Sequence, residues 1–420
     1  MNVDSLPDPV ILEEHCKSAP ILLSEVEREA LARLAPGVSV APADEGGLFV
    51  LDPGNNVGAI QLGKRRFELR PKIAVRRLLF LLSYSMDPSR WRQQGFDFAQ
   101  DTDLFEAVAP GFAYQVEEAL RGGPLLGYRQ REDALQTVRG RIRFDEQLRS
   151  RFGLLPPIEC RFDEFTDDIE ANRLLRAAIA RLGSIRIRDP RTRTRLASLA
   201  PAFANVTPVT YDPRALPEPR FDRLSERYRR PVELARLILR SHSIDARSGG
   251  IGGDAFLVNL ATVFENFVLV ALRESLRLSE RRFPAQARGR TLHLDAGCNL
   301  GLRPDLSWWE GGACRFIGDV KYKRTPPTPG VQHPDMYQLL AYTTATELPW
   351  GLLVYAAGES PERSYRIAAA GKEIEVRTLD LDRDPASVLA QVDAIASRVR
   401  ERAAGSATAA AARLQPASSH

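Results

Sequence analysis

Lysine is nearly missing from this chain of 420 residues: Lys17, Lys64, Lys72, Lys321, Lys323 and Lys372 are the only ones among 58 basic residues. An arginine-favouring coding bias of a GC-rich genome accounts for the excess. A lysine kept against that bias marks a place that wants a compact ammonium point charge. Cysteine is scarce as well. Cys16, Cys160, Cys298 and Cys314 lie far apart without a CxxC pair, which argues against a zinc site or a disulfide framework and fits a reducing compartment. The densest apolar run, Leu78 to Leu82, is far too short to span a bilayer. No basic stretch followed by an apolar one opens the chain, so a soluble, cytoplasmic setting is expected.

Several catalytic signatures are missing too. There is no GxxxxGK[ST] loop, and Gly250-Ile251-Gly252-Gly253-Asp254-Ala255, which formally fits GxGxxA, follows no expected strand. The chain is therefore expected to bind no nucleotide itself. GxSxG and HExxH are absent, and the five histidines form no pattern, so Ser-His-Asp and zincin chemistry find no support. The formal net charge of +4 neither requires nor excludes a nucleic-acid partner.

What is present suits a chain of two or three packed domains, 44% of it hydrophobic. Up to about Ser150, strand and helix signals mix. Val57 to Leu69 reads as a hairpin turning at Gly63-Lys64, and helices are expected over Arg76–Ser85 and Thr102–Leu120. From about Phe162 to Ser248 the pattern is helical and arginine-rich. Helices are expected from Asp167-Asp168-Ile169-Glu170 to Leu182, over Thr192–Leu199 and over Pro231–Arg240. The run Arg186, Arg188, Arg191, Arg193, Arg195 reads as a solvated face or a DNA-backbone contact. Ser248 to Gly253 is the clearest boundary, and a flexible link is expected there. Beyond about Ala403 the Ala/Ser-rich tail is expected to be disordered.

The chemistry concentrates after that boundary. Arg303-Pro304-Asp305-Leu306 precedes Asp319-Val320-Lys321, and Ser307–Trp309 and Ala313–Ile317 read as strands joined by Glu310-Gly311-Gly312. With Trp309 facing Ala313, Asp305 lies opposite Ile317 and diagonal to Asp319. Asp319 and Lys321 are two apart, so they share a face, with Gly318, Val320 and Tyr322 on the other. Two carboxylates so placed suit one hard cation. Asp305, Asp319 and the Val320 carbonyl are the expected ligands of Mg²⁺, with Mn²⁺ as an alternative. Lys321 is expected to orient the attacking water and stabilise charge growing on a phosphodiester. Glu265 sits on the apolar flank of a helix expected over Asp254–Leu276. Its partner is the metal, a metal-bound water or a structural salt bridge. Gln338 and Tyr342 share a face of a helix expected to begin near His333. The expected order, helix with Glu265, strand, Asp-bearing hairpin, helix and strand Trp350–Ala357, is αβββαβ. That is the core of a PD-(D/E)xK endonuclease, followed by two more strands and a helix over Pro385–Arg402.

Phe264-Glu265-Asn266-Phe267-Val268, Arg303-Pro304-Asp305 and Asp319-Val320-Lys321-Tyr322-Lys323 resemble the nuclease motifs of the McrC family. That family supplies the nuclease subunits of modified-cytosine restriction systems. Leu69–Ile73, Val138–Ile142, Cys160–Phe165 and Asp168–Arg173 also look familial, so the resemblance covers most of the chain. Gly318 departs mildly, because an apolar residue commonly precedes the Asp, but no ligand is lost. The resemblance implies an α/β multidomain fold. Residues 1–160 would be a partner-docking domain, 161–248 a helical connection, 249–402 the endonuclease domain and 403–420 a tail. It implies a separate AAA+ GTPase ring of the McrB type, whose GTPase the chain stimulates and whose translocation triggers cleavage of DNA carrying 5-methylcytosine. It also places Gln338 and Tyr342 close to DNA, with Lys323 and Arg303 as further contacts. A repair nuclease of the same fold, and a non-catalytic adaptor that only activates an AAA+ partner, are the alternatives. Intact Asp305, Asp319, Lys321 and Glu265 argue against the adaptor.

Overall fold

The computed structural model describes residues 9–43, 46–86, 104–152, 154–184, 187, 189–213, 215–245, 253–322, 333–356 and 363–413. Lys323, Arg186, Arg188, the Gly-rich link at 248–252 and the last residues of the expected tail lie outside them. The chain is mixed α/β with several sheets. No helix among the described residues is long and apolar enough to cross a membrane.

The expected hairpin forms, as strands Asn56–Leu62 and Arg65–Arg70, turning through Gly63 in the left-handed region. Six of the seven residues of the first strand are buried because both of its faces are covered. Val57 joins the large central core, whereas Ile60 and Leu62 join a smaller one beneath helix Glu25–Leu34. That helix is set by a reciprocal cap. Ser24 Oγ accepts from the Glu27 N–H at 3.2 Å, and Glu27 Oε2 accepts from the Ser24 N–H at 2.8 Å.

Strand Gly253–Asn259 pairs antiparallel with Asn56–Leu62 and with His242–Asp245. This corrects the expectation of a helix starting at Asp254. Ala255-Phe256-Leu257-Val258 is an unbroken apolar run, which periodicity alone cannot assign to strand or helix. Asn259 is the true start signal: its Oδ1 accepts from the Thr262 N–H at 3.1 Å and caps helix Leu260–Leu276, which carries Glu265. The strand leading into that helix is thus built into the N-terminal sheet.

Residues 127–166 hold a second departure. Strands Gly127–Leu135, Ile158–Thr166 and Arg141–Ile142 form a small antiparallel sheet with helix Phe144–Arg151 beside it. The alternation of buried Cys160 and Phe162 with charged neighbours was the available strand signal. The expected helices do form, as Val75–Met86, Leu104–Leu120, Glu170–Ser184, Pro190–Leu199 and Arg229–Arg240. Buried residues from all five share one core with the Glu265 helix.

The C-terminal sheet runs Leu306–Glu310, Ala313–Lys321, Trp350–Ala356, Lys372–Leu379, Arg363–Ile367. Its three central strands are parallel and the two outer pairings antiparallel. The Glu265 helix and the last helix contact it from the side of Val320 and Leu352, and helix His333–Ala345 covers the side of Leu353 and Tyr355. The strand expected between the Glu265 helix and the hairpin is not there. That stretch holds a short 3-10 turn at Ala285–Ala287 and one isolated bridge between His293 and Gly301. The last helix runs from Pro385 to Arg413, past the expected end at Arg402. Alanine-rich sequence carries high helix propensity, and composition alone hid that.

A tight backbone joint lies between the hairpin and the strand before the Glu265 helix. Gly58 has φ +134°, and a Cβ there would fall 2.0 Å from the Phe256 carbonyl oxygen. Gly58→Ala is expected to cost about 2–3 kcal/mol of stability, read as a lower denaturant midpoint at unchanged slope. Unchanged stability would show that the two strands separate without loss.

Candidate active site

The Asp-bearing hairpin turns at Gly311 and Gly312, both at positive φ. Its register differs from the expected one. Glu310 faces Ala313 and Trp309 faces Cys314; after an irregularity between Trp308 and Trp309, Ser307 faces Ile317 and Leu306 faces Gly318. A bulge adds a residue to one strand and shifts all later pairs. Continuing past the Leu306–Gly318 pair, Asp305 arrives level with Asp319 rather than diagonal to it. The two carboxylates therefore approach more closely than the simple register implied. Asp305 Oδ2 accepts from the Val320 N–H at 3.0 Å. In an extended strand a residue's N–H and C=O leave the same edge, so the Val320 carbonyl faces the Asp305 edge too.

Asp319 is 1% exposed. Lys321 Nζ stands 2.6 Å from its Oδ2, yet that buried oxygen receives no properly directed hydrogen bond. Burial and the neighbouring Asp305 charge push the Asp319 carboxyl up to about 7, against the pull of Lys321. Asp305 is raised as well, by burial first and by Glu265, with the Val320 N–H opposing. Burial also works against the Lys321 charge, but Asp319, Asp305 and Asp335 together hold its pKa above the ordinary lysine value. Glu265 is half-buried, and burial raises its pKa; Lys321 works against that rise and Asp319 adds to it. Burial is the first cause for each acid, because a low-dielectric pocket disfavours the charged carboxylate, and three acids there face one ammonium.

That imbalance, and a buried oxygen of Asp319 without a directed donor, fit a hard divalent cation. Among the described residues no three His, Cys, Asp or Glu side chains gather as a metal-ligand group. Asp305 and Asp319 are then the paired carboxylates, and Glu265 lies at the range of charge. Two carboxylates suffice for Mg²⁺, which keeps several of its waters.

Gln338 Nε2 donates to the Tyr342 hydroxyl at 2.7 Å, and that hydroxyl donates to the Arg303 carbonyl at 3.2 Å. Tyr342 is 4% exposed, so its hydroxyl is spent fixing the Arg303-Pro304-Asp305 turn. The Arg303 side chain itself is exposed. Of the basic run, Arg195 Nε donates to Glu117 Oε1 at 3.0 Å, which makes it a structural contact. Sequence reasoning missed Asp335 and Tyr355, which join by a 2.5 Å hydrogen bond beneath the Lys321 strand end. Asp335 looked like an ordinary first-turn acid, and Tyr355 like one of a row of buried strand residues. It missed Glu14 too. This buried carboxylate accepts from the Lys72 N–H at 3.1 Å and from the Tyr322 hydroxyl at 3.4 Å, tying the N-terminal sheet to the residue after Lys321.

A family profile described as "McrBC 5-methylcytosine restriction system component" matches residues 51–356. The chain belongs to this McrBC family. The family that the motifs resemble and the family matched agree. A chain in the refined half-complex from the tetradecameric assembly of Thermococcus gammatolerans McrB AAA+ hexamers with bound McrC is similar in fold. Its TM-score is 0.56 at 16% identity, over 93% of this chain and 100% of that one. A chain of the cryo-EM structure of the Thermococcus gammatolerans McrBC complex matches 64% of this chain and 88% of its own length. It has 19% identity and a TM-score of 0.39, too low to bear on the fold. None of the curated proteins matches.

The raised Asp319 carboxyl sets a pH dependence in this McrBC-family chain. Between the ordinary value of 3.8 and about 7, the folded protein holds a proton that the unfolded chain has released. That favours folding at low pH and is lost as pH rises through about 7. In chelator, Asp319→Asn is expected to raise the melting temperature at about pH 8.5 by roughly twice as much as at about pH 5.5, where protonation of Asp319 already relieves part of the cost. An equal effect at both values would mean that Asp319 is ionised throughout.

Proposed function

We propose that this chain is the metal-dependent endonuclease subunit of its restriction system, of the McrC kind. Its nuclease unit is of PD-(D/E)xK type and runs from the Glu265 helix to the last helix. The observation that carries this reading is the convergence of Asp305, Asp319 and Lys321 at one end of the hairpin, with buried Asp319 and half-buried Asp305 against one ammonium. Asp305 and Asp319, with the Val320 carbonyl, would hold Mg²⁺ or Mn²⁺. When bound, such an ion polarises a phosphoryl oxygen and makes water a better nucleophile near neutral pH.

The chain's own groups do the rest. Glu265, half-buried with a raised pKa, is poised to take the proton of an attacking water. Lys321 offsets the negative charge that grows on the phosphate as the water oxygen bonds to phosphorus and the bond to the leaving oxygen breaks. Tyr342 and Gln338 keep the Asp305 turn in place, and the exposed Arg303 contacts DNA phosphate.

The partner reading follows the relative in which McrC is bound to McrB AAA+ hexamers. A McrB-type GTPase would supply the nucleotide site, the modified-base reader and the translocation that triggers cutting, with this chain stimulating its GTPase. Residues 127–166 support a docking face on the N-terminal side. Tyr128, Phe144, Leu148, Phe152, Leu154 and Phe165 are exposed by 58–87% there, more apolar surface than an isolated chain usually shows.

The test is plasmid cleavage by the full chain with Mg²⁺ or Mn²⁺, with and without its AAA+ partner and GTP, on methylated and unmethylated DNA. Asp305→Ala, Asp319→Ala and Lys321→Ala are each expected to lower the cleavage rate by about a hundredfold or more while preserving the melting transition. Cutting that ignores partner and methylation would point to a solitary nuclease. Wild type as inert as the variants, yet still raising the partner's GTPase rate, would replace the nuclease with an adaptor.

A further inference from the structure

Arginine crowds a recess that shares no residue with the Asp305–Asp319 centre. Helix Arg229–Arg240, the end of the Glu265 helix and the segment after it enclose about 620 Å³, lined by Arg229, Arg236, Arg273, Arg281 and Arg288. The acids around it do not balance these charges. Arg236 donates to Glu218 Oε1 at 2.5 Å. That carboxyl is held below its ordinary value by Arg236 first, and by Arg240 and Arg288 as well, so one carboxylate answers three guanidiniums. Arg240 shows the cost: burial lowers its pKa first and the Arg236 charge lowers it further, with Glu218 opposing. Glu280 pairs with Arg273 at 3.2 Å, Glu226 with Arg229 at 2.9 Å, and Glu233 is the third acid of the lining. The Glu218 and Glu280 side chains are 75% and 83% exposed, and ion pairs to such partners contribute little. Arg281 and Arg288 are exposed, and neither has an ion-pair partner among the described residues. A guanidinium does not give up its proton, so an anion is what relieves the crowding.

The basic surface continues toward the hairpin. Arg281 also borders a second recess of about 500 Å³, with Arg282, Arg290 and Trp309, at the hairpin's Gly311-Gly312 turn. Glu310 holds Arg282, whereas Arg290 is exposed and lies over the Trp309 ring at 5.1 Å. The Trp309 N–H donates to the Arg282 carbonyl at 2.7 Å, which fixes this segment to the hairpin strand. Asp305 precedes Trp309 by four positions, about 14 Å along an extended strand, or about four base-pair steps of a duplex. We propose that the two recesses form one track that binds phosphates of a nucleic-acid strand beside the cutting site, with Arg281 and Arg288 as contacts. A free nucleotide carries its phosphates at one point. Cations spread from Arg240 through Arg281 to Arg290 instead match a charge that repeats along a backbone. Only the identity of that strand as DNA rests on the nuclease reading.

The test uses the full chain in chelator, so that binding is read without cleavage. Anisotropy of a labelled DNA duplex is followed across a salt series for wild type and Arg281→Ala/Arg288→Ala. Arg191→Ala/Arg193→Ala removes the same charge from two exposed positions of helix Pro190–Leu199 and serves as control. Each phosphate contact contributes about 0.9 to the slope of log K against log salt. The recess variant is expected to lose about 2 from that slope and to bind about tenfold more weakly near 0.1 M salt. The control should match wild type, and all three should melt together. If the double variant melts early, Arg281→Ala alone decides, at a slope loss of about 1. A recess variant that loses no more than the control overturns the inference, as does a wild type that does not bind the duplex. Binding of GTP or inorganic phosphate that the recess variant loses, with duplex binding intact, gives the site to a free nucleotide and overturns the track. A wild type that binds through the recess but does not cut with Mg²⁺ removes the nuclease reading and leaves the track standing. Cutting with duplex binding indifferent to the recess does the reverse.

Discussion

Asp319 is a carboxylate taken almost wholly out of water, with a second carboxylate level with it and a lysine ammonium against it. In a low-dielectric setting such a group is costly unless it is paired, hydrogen-bonded or protonated. Here it is incompletely compensated, which is why burial and Asp305 together push it toward neutrality. A chain that keeps this arrangement needs the rest of the fold to hold the carboxylates where they would not settle alone. The surrounding structure can be read largely as that support.

Both faces of the hairpin strand are closed. Val320 is buried in the central core with the Glu265 helix, and Ile317 is buried on the opposite side with Leu339, Tyr342 and Leu353. The position before Asp319 shows how tight this is. A Cβ on Gly318 would meet the Leu352 carbonyl oxygen at 2.9 Å and the Phe316 ring at 3.0 Å, so the departure from an apolar residue there follows from local crowding. Loops fix the remaining freedom. Tyr342 holds the Arg303 carbonyl and the Val320 N–H holds Asp305. Tyr322 leans on Glu14, whose carboxylate also accepts from the Lys72 N–H just past strand Arg65–Arg70 of the N-terminal sheet. The strand entering the Glu265 helix is itself paired into that sheet. Strain applied to the N-terminal sheet therefore has two covalently short routes to the site, one through Tyr322 and one through the Glu265 helix.

Local signals carried much of this. The Gly63 hairpin, the helices of the central core and the identity of the Asp-bearing hairpin followed from turn chemistry and periodicity. What escaped depended on other information. The irregularity at Trp308–Trp309 moves Asp305 by a register step, and no residue in that stretch announces a bulge as a misplaced glycine would. Ala255–Val258 is apolar throughout and satisfies either period, so only its pairing with Asn56–Leu62 decides for strand. The expected strand before the hairpin came from the order that a nuclease core should have, and the residues between Leu276 and Asp305 do not build it. Asp335 and Tyr355 lie twenty positions apart and meet only across a helix–sheet contact, which periodicity does not encode.

The rarity of lysine gains a physical meaning from the structure. In a chain that uses arginine almost everywhere, Lys321 and Lys372 sit two strands apart and toward opposite ends of one sheet, and each does something a guanidinium fits poorly. Lys321 Nζ stands 2.6 Å from a carboxylate oxygen in a buried pocket, where a planar five-donor group would leave N–H groups unsatisfied or displace the neighbouring carboxylate. Lys372 Nζ donates to the carbonyls of Thr343 and Leu348 at 3.2 and 2.8 Å. It thereby closes the end of the helix that covers the Asp319 face, and burial lowers its pKa. A small tetrahedral ammonium can turn its donors toward two converging carbonyls, whereas a rigid fork needs parallel acceptors. Lys372 thus secures the C-terminal end of the helix whose first turn bears Asp335, and that carboxylate acts on Lys321.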